Sequence, residues 1–164
     1  MIGLQVDRRD LDRIVRHLRA EENGAQLRRD LAKNIRHALR PAVAEAKASI
    51  RSMPSTGALG KATGEGLRQA IARRVRAEAR LSGRAVGARV KVRKTGMPRG
   101  FENAAKRTNR AKGWRHPVFG NRDAWAHQIG KPEWFDGPMR ANRAEYRRAV
   151  RKAMADAARR ITRR

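Results

Sequence analysis

The stretch WRHPVFGNRDAWAHQIGKPEWF, residues 114–135, is unlike anything else in the chain. It holds all three tryptophans, and no aromatic side chain precedes Phe101. Large aromatic side chains dominate the energetics of cores and interfaces. In a sequence otherwise built largely of Ala, Arg and Leu, this segment is therefore where fold and contacts are specified. Its periodicity gives two strands, residues 114–119 and 123–129, around Gly120-Asn121. Trp125, His127 and Ile129 then share one face, and Gly130-Lys131-Pro132 ends the second strand.

On the C-terminal side, Asp136-Gly137-Pro138 starts a last helix, with Pro138 at the first helical position where a missing N–H costs little. Tyr146, Val150, Met154, Ala157 or Ala158, and Ile161 give that helix an apolar stripe opposite an arginine face. On the N-terminal side, residues 94–113 (KTGMPRGFENAAKRTNRAKG) are basic and poor in apolar side chains. They are expected to form a long mobile loop with one helical turn near residues 101–107.

Before that loop the pattern alternates. Val75, Ala77, Ala79 and Leu81 precede a Ser82-Gly83 turn, and Val86, Ala88, Val90 and Val92 follow it. This predicts a β-hairpin with one solvated basic face. The rival is a helix continued through Leu67, Ile71 and Val75. The hairpin is preferred after about residue 73, because Gly83 and Gly87 disfavour helix. Residues 55–66 read as a glycine-rich loop, followed by a short helix over 66–72.

The N-terminal part is helical. Leu4 and Val6 read as a short strand, and Asp7 as the cap of a helix from residue 8 to about 22. Leu11, Ile14, Val15 and Leu18 lie on one face of it, and Asn23-Gly24 ends it. A longer helix follows from 25 to about 51, with Leu27, Leu31, Ile35, Leu39, Val43 and Ile50 on a drifting stripe. Pro41 should kink or split it. The expectation is one α+β domain over residues 1–164: long N-terminal helices, a small antiparallel sheet of about four strands and a C-terminal helix.

A chain of 164 residues buries about two-thirds of its unfolded surface. Hydrophobic residues make up 40% but aromatics only 4%. The core should be thin and packed through Ala, with assembly adding stability. Lys plus Arg number 41 against 15 Asp plus Glu, a net charge of +26. Such a chain is drawn to polyanions. Codon usage in a GC-rich genome accounts for Arg over Lys, 32 against 9, but not for Arg over Glu. An acidic neighbour, DNA or protein, is expected. The contact residues singled out for it are Arg89, Lys91 and Arg93 on the hairpin and Arg147, Arg151 and Arg159 on the last helix. Absence of cysteine excludes disulfides and thiolate metal sites. With no apolar signal core or spanning segment, the reading is a soluble protein with no membrane partner.

Catalytic candidates are few. His17 and His37 sit on polar positions of arginine-rich helices and read as solvated. His116 and His127 lie near Asp123, Glu133 and Asp136, and their imidazoles would approach each other if the two strands pair. No H-x-x-x-H or H-E-x-x-H spacing occurs, no serine has a nucleophile-elbow context, and the glycines of TGALGKATGEG lack the Gly-Lys-Ser/Thr of a phosphate loop. The expectation is no enzyme, no metal and no cofactor. Trp114, Trp125 and Trp134 have two readings, closure of the sheet against the helices or anchorage of a neighbouring subunit. A mixture is expected. Trp114, His116, Pro117, Phe119, Trp125, His127, Trp134 and Phe135 are assigned to subunit interface and fold closure.

WRHPVFGN, then Trp125-x-x-Gln128, then Pro132-x-Trp134-Phe135 and a Pro-led C-terminal helix resemble the tail-completion or neck proteins of long-tailed bacteriophages and related prophages. Thr56-Gly-x-Leu59 and the order of elements extend the resemblance over nearly the whole chain, and residues 114–138 are its specific part. The long basic insert before Trp114 and the arginine content depart from it. The resemblance implies a non-catalytic virion subunit, forming a homomeric ring at the head–tail junction. Its implied partners are further copies of itself, the adjacent head-connector and tail-tube or tail-terminator proteins, and DNA passing through the neck. Its implied locations are the virion and, during assembly, the host cytoplasm. The alternative is a stand-alone basic nucleic-acid-binding module.

Overall fold

The computed structural model describes residues 8–21, 23–54, 66–82, 86–97, 99–118 and 121–162. The expected strand at Leu4 and Val6, the Asp7 cap, the loop over 55–65 with its Thr56-Gly-x-Leu59, and Phe119 lie outside the described residues. In chain order the elements are α1 (Arg8–Ala20), α2 (Gly24–Ala38), α3 (Arg40–Arg51), α4 (Leu67–Arg74), β1 (Val75–Arg80), β2 (Gly87–Val92), α5 (Ala104–Thr108), β3 (Trp114–Val118), β4 (Asn121–Gln128), α6 (Asp136–Ala141) and α7 (Arg143–Thr162). The fold is α+β, as the sequence patterns predict. Among the described residues its four strands form two separate two-stranded antiparallel sheets, β1-β2 and β3-β4, rather than one sheet.

The chain divides into two compact units, each assembled from separated segments. One comprises residues 2–44, 76–91 and 141–164. There α1, α2 and α7 pack together, burying Leu11, Val15 and Leu18 of α1, Leu31 and Ile35 of α2, and Tyr146, Val150, Ala153 and Met154 of α7. These positions recur at three and four residues, so each helix turns one stripe inward and leaves most of its arginines outside. Asn23-Gly24 marks the start of α2 rather than only the end of α1. Gly24 is buried, and a Cβ there would lie 1.9 Å from the Leu18 carbonyl oxygen. Only glycine allows that close approach.

Pro41 divides the long helix. Leu39 stands between α2 and α3, yet Leu39 N still donates to Ile35 O and Val43 N to Leu39 O, both at 3.1 Å. One helical bond is missing because Pro41 has no N–H, and its ring crowds the preceding turn.

The other unit comprises residues 45–75 and 92–140. Its core contains Ala46, Ile50, Met53, Ala70, Ile71, Val75, Met97, Ala104, Trp134, Phe135 and Met139. Polar side chains tie its distant segments together. Lys131 Nζ donates to Ser52 Oγ at 2.8 Å and Ser49 O at 3.3 Å, placing a cation at the carbonyl end of α3. Arg68 donates to Met53 O at 2.7 Å, and Arg74 to Ala70 O at 2.8 Å and to Gly96 O. The basic segment 94–113 carries α5, close to the helical turn predicted, and its Thr108 is fully buried.

The last helix differs from its prediction. It is two helices, interrupted at Asn142, and Pro138 is the third residue of α6 rather than the first. The first four N–H groups of a helix have no intrahelical acceptor, so the third position tolerates proline for the same reason as the first.

Candidate contact surface on the aromatic hairpin

The aromatic segment separates into a buried root and an exposed arm. At the root, Trp134 is 1% exposed. Its indole Nε1 donates to Thr108 Oγ1 at 3.1 Å, while that hydroxyl donates to Ala104 O at 2.9 Å. Phe135 meets Trp134 edge to face, with centroids 5.5 Å apart at 80°. Asn109 clamps the same turn. Its Oδ1 accepts from Phe135 N at 2.9 Å, its Nδ2 donates to Asp136 Oδ2 at 2.6 Å, and its carbonyl accepts from Glu133 N at 3.0 Å. Glu133 takes a left-handed φ of 57° to make that turn. Gly130 passes so close to α5 that a Cβ would lie 2.5 Å from Thr108 Cα.

From this root β3 and β4 project as an arm. Trp114 pairs with Gln128, Arg115 with His127, His116 with Ala126 and Pro117 with Trp125; the register shifts before Val118 pairs with Asn121. Apart from Ala126, every residue of β4 is exposed. Trp125 is 50% exposed and Ile129, just beyond β4, 60%. Trp125 is nevertheless held in place. Its Nε1 donates to Arg122 O at 2.7 Å, and Arg115 Cζ lies 5.7 Å from its ring centroid, a cation–π geometry. Trp134 and Phe135 are therefore buried, and Trp125 is not. Trp114 is half-buried.

The register sets His116 opposite Ala126 and His127 opposite Arg115, so the two histidines are not paired across the strands, and His127 Nε2 lies 2.8 Å from Lys112 O. His17 and His37 are exposed on α1 and α2. Glu133 pairs with Arg140 at 3.0 Å. Asp123 is exposed, and Asp136 is engaged by Asn109. Among the described residues no group of three His, Cys, Asp or Glu side chains is placed to hold a metal, and no helix is long and apolar enough to cross a membrane.

The six cations singled out for polyanion contact divide by their internal partners. Arg89 and Lys91 both engage Glu78, at 2.6 and 2.8 Å. Hydrogen bonding from Lys91, the largest effect, together with hydrogen bonding from Arg89 and the charges of both, holds the Glu78 carboxyl below the usual range, against burial, the second-largest effect. Arg159 pairs with Asp156. Arg147 is half-buried, with Nε enclosed. Arg93, just beyond β2, and Arg151 on α7 are exposed. Sequence reasoning missed Thr108 and Asn109, and read Gly130 only as part of a strand end; the three fix the arm's root. A Thr-Asn pair within a basic stretch carries no signal for a tryptophan 26 residues away.

No protein family, characterised protein or solved structure gives a match to this chain.

Proposed function

We propose that this protein is a non-catalytic virion subunit of a long-tailed phage, assembling as a homomeric ring at the head–tail junction. The observation that carries the reading is the arm β3-β4. An isolated two-stranded hairpin is marginally stable in water, yet here one extends from a buried, hydrogen-bonded root with an oriented, half-exposed tryptophan on it. Trp and Arg are the residues most enriched at interface hot spots, and Arg115 stacks on Trp125. The arm thus has the chemistry of a contact surface completed by a neighbouring copy. The phage assignment rests on the resemblance carried by WRHPVFGN, Trp125-x-x-Gln128 and Pro132-x-Trp134-Phe135.

Trp125→Ala tests it. Native mass spectrometry and electron microscopy of the unaltered protein should show rings. The variant should keep its fold and cooperative unfolding but lose rings, and lysates carrying it should accumulate unjoined heads and tails. Normal infectious particles from Trp125→Ala would refute the interface role. A monodisperse monomer at all concentrations would refute the ring.

A further inference from the structure

The outer face of α7 carries a different contact. Taking about 100° per residue and Arg148 as origin, Ala144, Arg148, Arg151, Lys152, Ala155 and Arg159 fall within a sector about 100° wide. The buried Tyr146, Val150, Ala153 and Met154 lie about 120–160° from Arg148, on the opposite side. All six outer residues are exposed. The two carboxylates of α7, Glu145 and Asp156, lie on one flank of that sector and outside it. An ordinary solvated helix intersperses both signs and gains from their pairing at three and four residues. This sector instead shows four cations separated only by alanine, with Arg159 at its end pairing with Asp156 on the flank.

From Arg148 to Arg159 the row is about 16 Å long. Duplex DNA presents about one negative charge per 1.7 Å of axis, so phosphates are not limiting along such a row. Alanine in the gaps lets the helix approach closely. The sector has no aromatic or large apolar side chain, the anchors on which protein interfaces depend, and so is suited to contact through charge alone. We infer that the Arg148–Arg151–Lys152–Arg159 row binds the phosphate backbone of duplex DNA without sequence preference. It does so independently of the arm, while Arg89 and Lys91 stay engaged with Glu78.

The test must separate this row from the net charge of +26. One variant carries Arg148→Gln, Arg151→Gln and Lys152→Gln. A control carries Arg13→Gln, Arg16→Gln and Arg19→Gln on the exposed side of α1, removing the same three charges. Binding to a short random-sequence duplex is measured over a salt series, with helix content and ring formation recorded for each protein. The α7 variant should lose about a hundredfold in affinity near 0.15 M salt, and its log–log salt slope should fall by about 2.7. The control should lose less than about threefold. Equal losses in the two variants, or none in the α7 variant, overturn the proposal. Poly-glutamate of matched charge binding as tightly as the duplex overturns it in favour of an acidic protein partner. Ring formation is expected to survive in both variants, so loss of DNA binding and loss of the neck assembly are read separately.

Discussion

At the scale of single residues the aromatic arm depends on one hydroxyl and one missing side chain. Thr108 Oγ1 is the acceptor for the buried Trp134 N–H and itself donates to Ala104 O. Thr108→Val keeps the shape but strands that indole donor, which should cost about 1–3 kcal/mol. Thr108→Ser keeps the hydroxyl and removes one methyl, which should cost about 1 kcal/mol. Urea unfolding orders the two, and a valine variant as stable as the serine one would show that the bond contributes little. At Gly130 a Cβ would meet Thr108 backbone atoms at 2.5 Å. Backbone yields less readily than a side chain, so Gly130→Ala should destabilise by at least the 1–3 kcal/mol typical of overpacking. It should also loosen the arm, read as faster amide exchange in β3 and β4.

At the scale of elements the hairpin β1-β2 contains an acid-sensitive link. Glu78 binds Lys91 and Arg89 across the two strands, and its pKa is lowered in the folded state. A group whose folded pKa is depressed contributes stability above its unfolded pKa and loses it as pH falls through the folded value. Stability should therefore decline from about pH 4.5 downward, and Glu78→Gln should lower stability at pH 7 while flattening that decline. Parallel curves for the two proteins across this range would remove Glu78 from the account. The elements themselves were largely legible in the sequence. Alternation through Val75, Ala77, Ala88 and Val90 marks β1 and β2, and the stripe Leu31, Ile35 and Tyr146, Val150, Met154 marks α2 and α7. Alternation places Trp125 and His127 on one face but cannot say whether anything covers that face, because covering is a tertiary event. The division at Asn142, the two separate sheets and the tie between Lys131 and Ser52 are likewise set by packing between segments far apart in sequence.

At the scale of the whole molecule, charge and fold oppose each other. A net +26 over 164 residues repels itself in the compact state, and with 41 Lys and Arg facing 15 Asp and Glu, ion pairs such as Glu78 with Arg89 and Lys91, Glu133 with Arg140, and Asp156 with Arg159 leave a large cationic excess. Salt acts on both terms. It weakens exposed pairs worth about 0–1 kcal/mol each, and it screens a repulsion summed over many arginines, since the Debye length falls from about 10 Å at 0.1 M to about 3 Å at 1 M. The second effect is the larger because 41 cations face only 15 carboxylates. Raising sodium chloride from about 0.05 to 0.5 M should therefore raise the Tm rather than lower it. A Tm that falls with salt would mean that ion pairing outweighs repulsion. If α7 presents a phosphate-binding row, sodium phosphate should stabilise more than chloride at equal ionic strength. The Arg148→Gln, Arg151→Gln, Lys152→Gln variant should lose that excess while keeping the chloride effect, which separates bound anion from screening in a single thermal series.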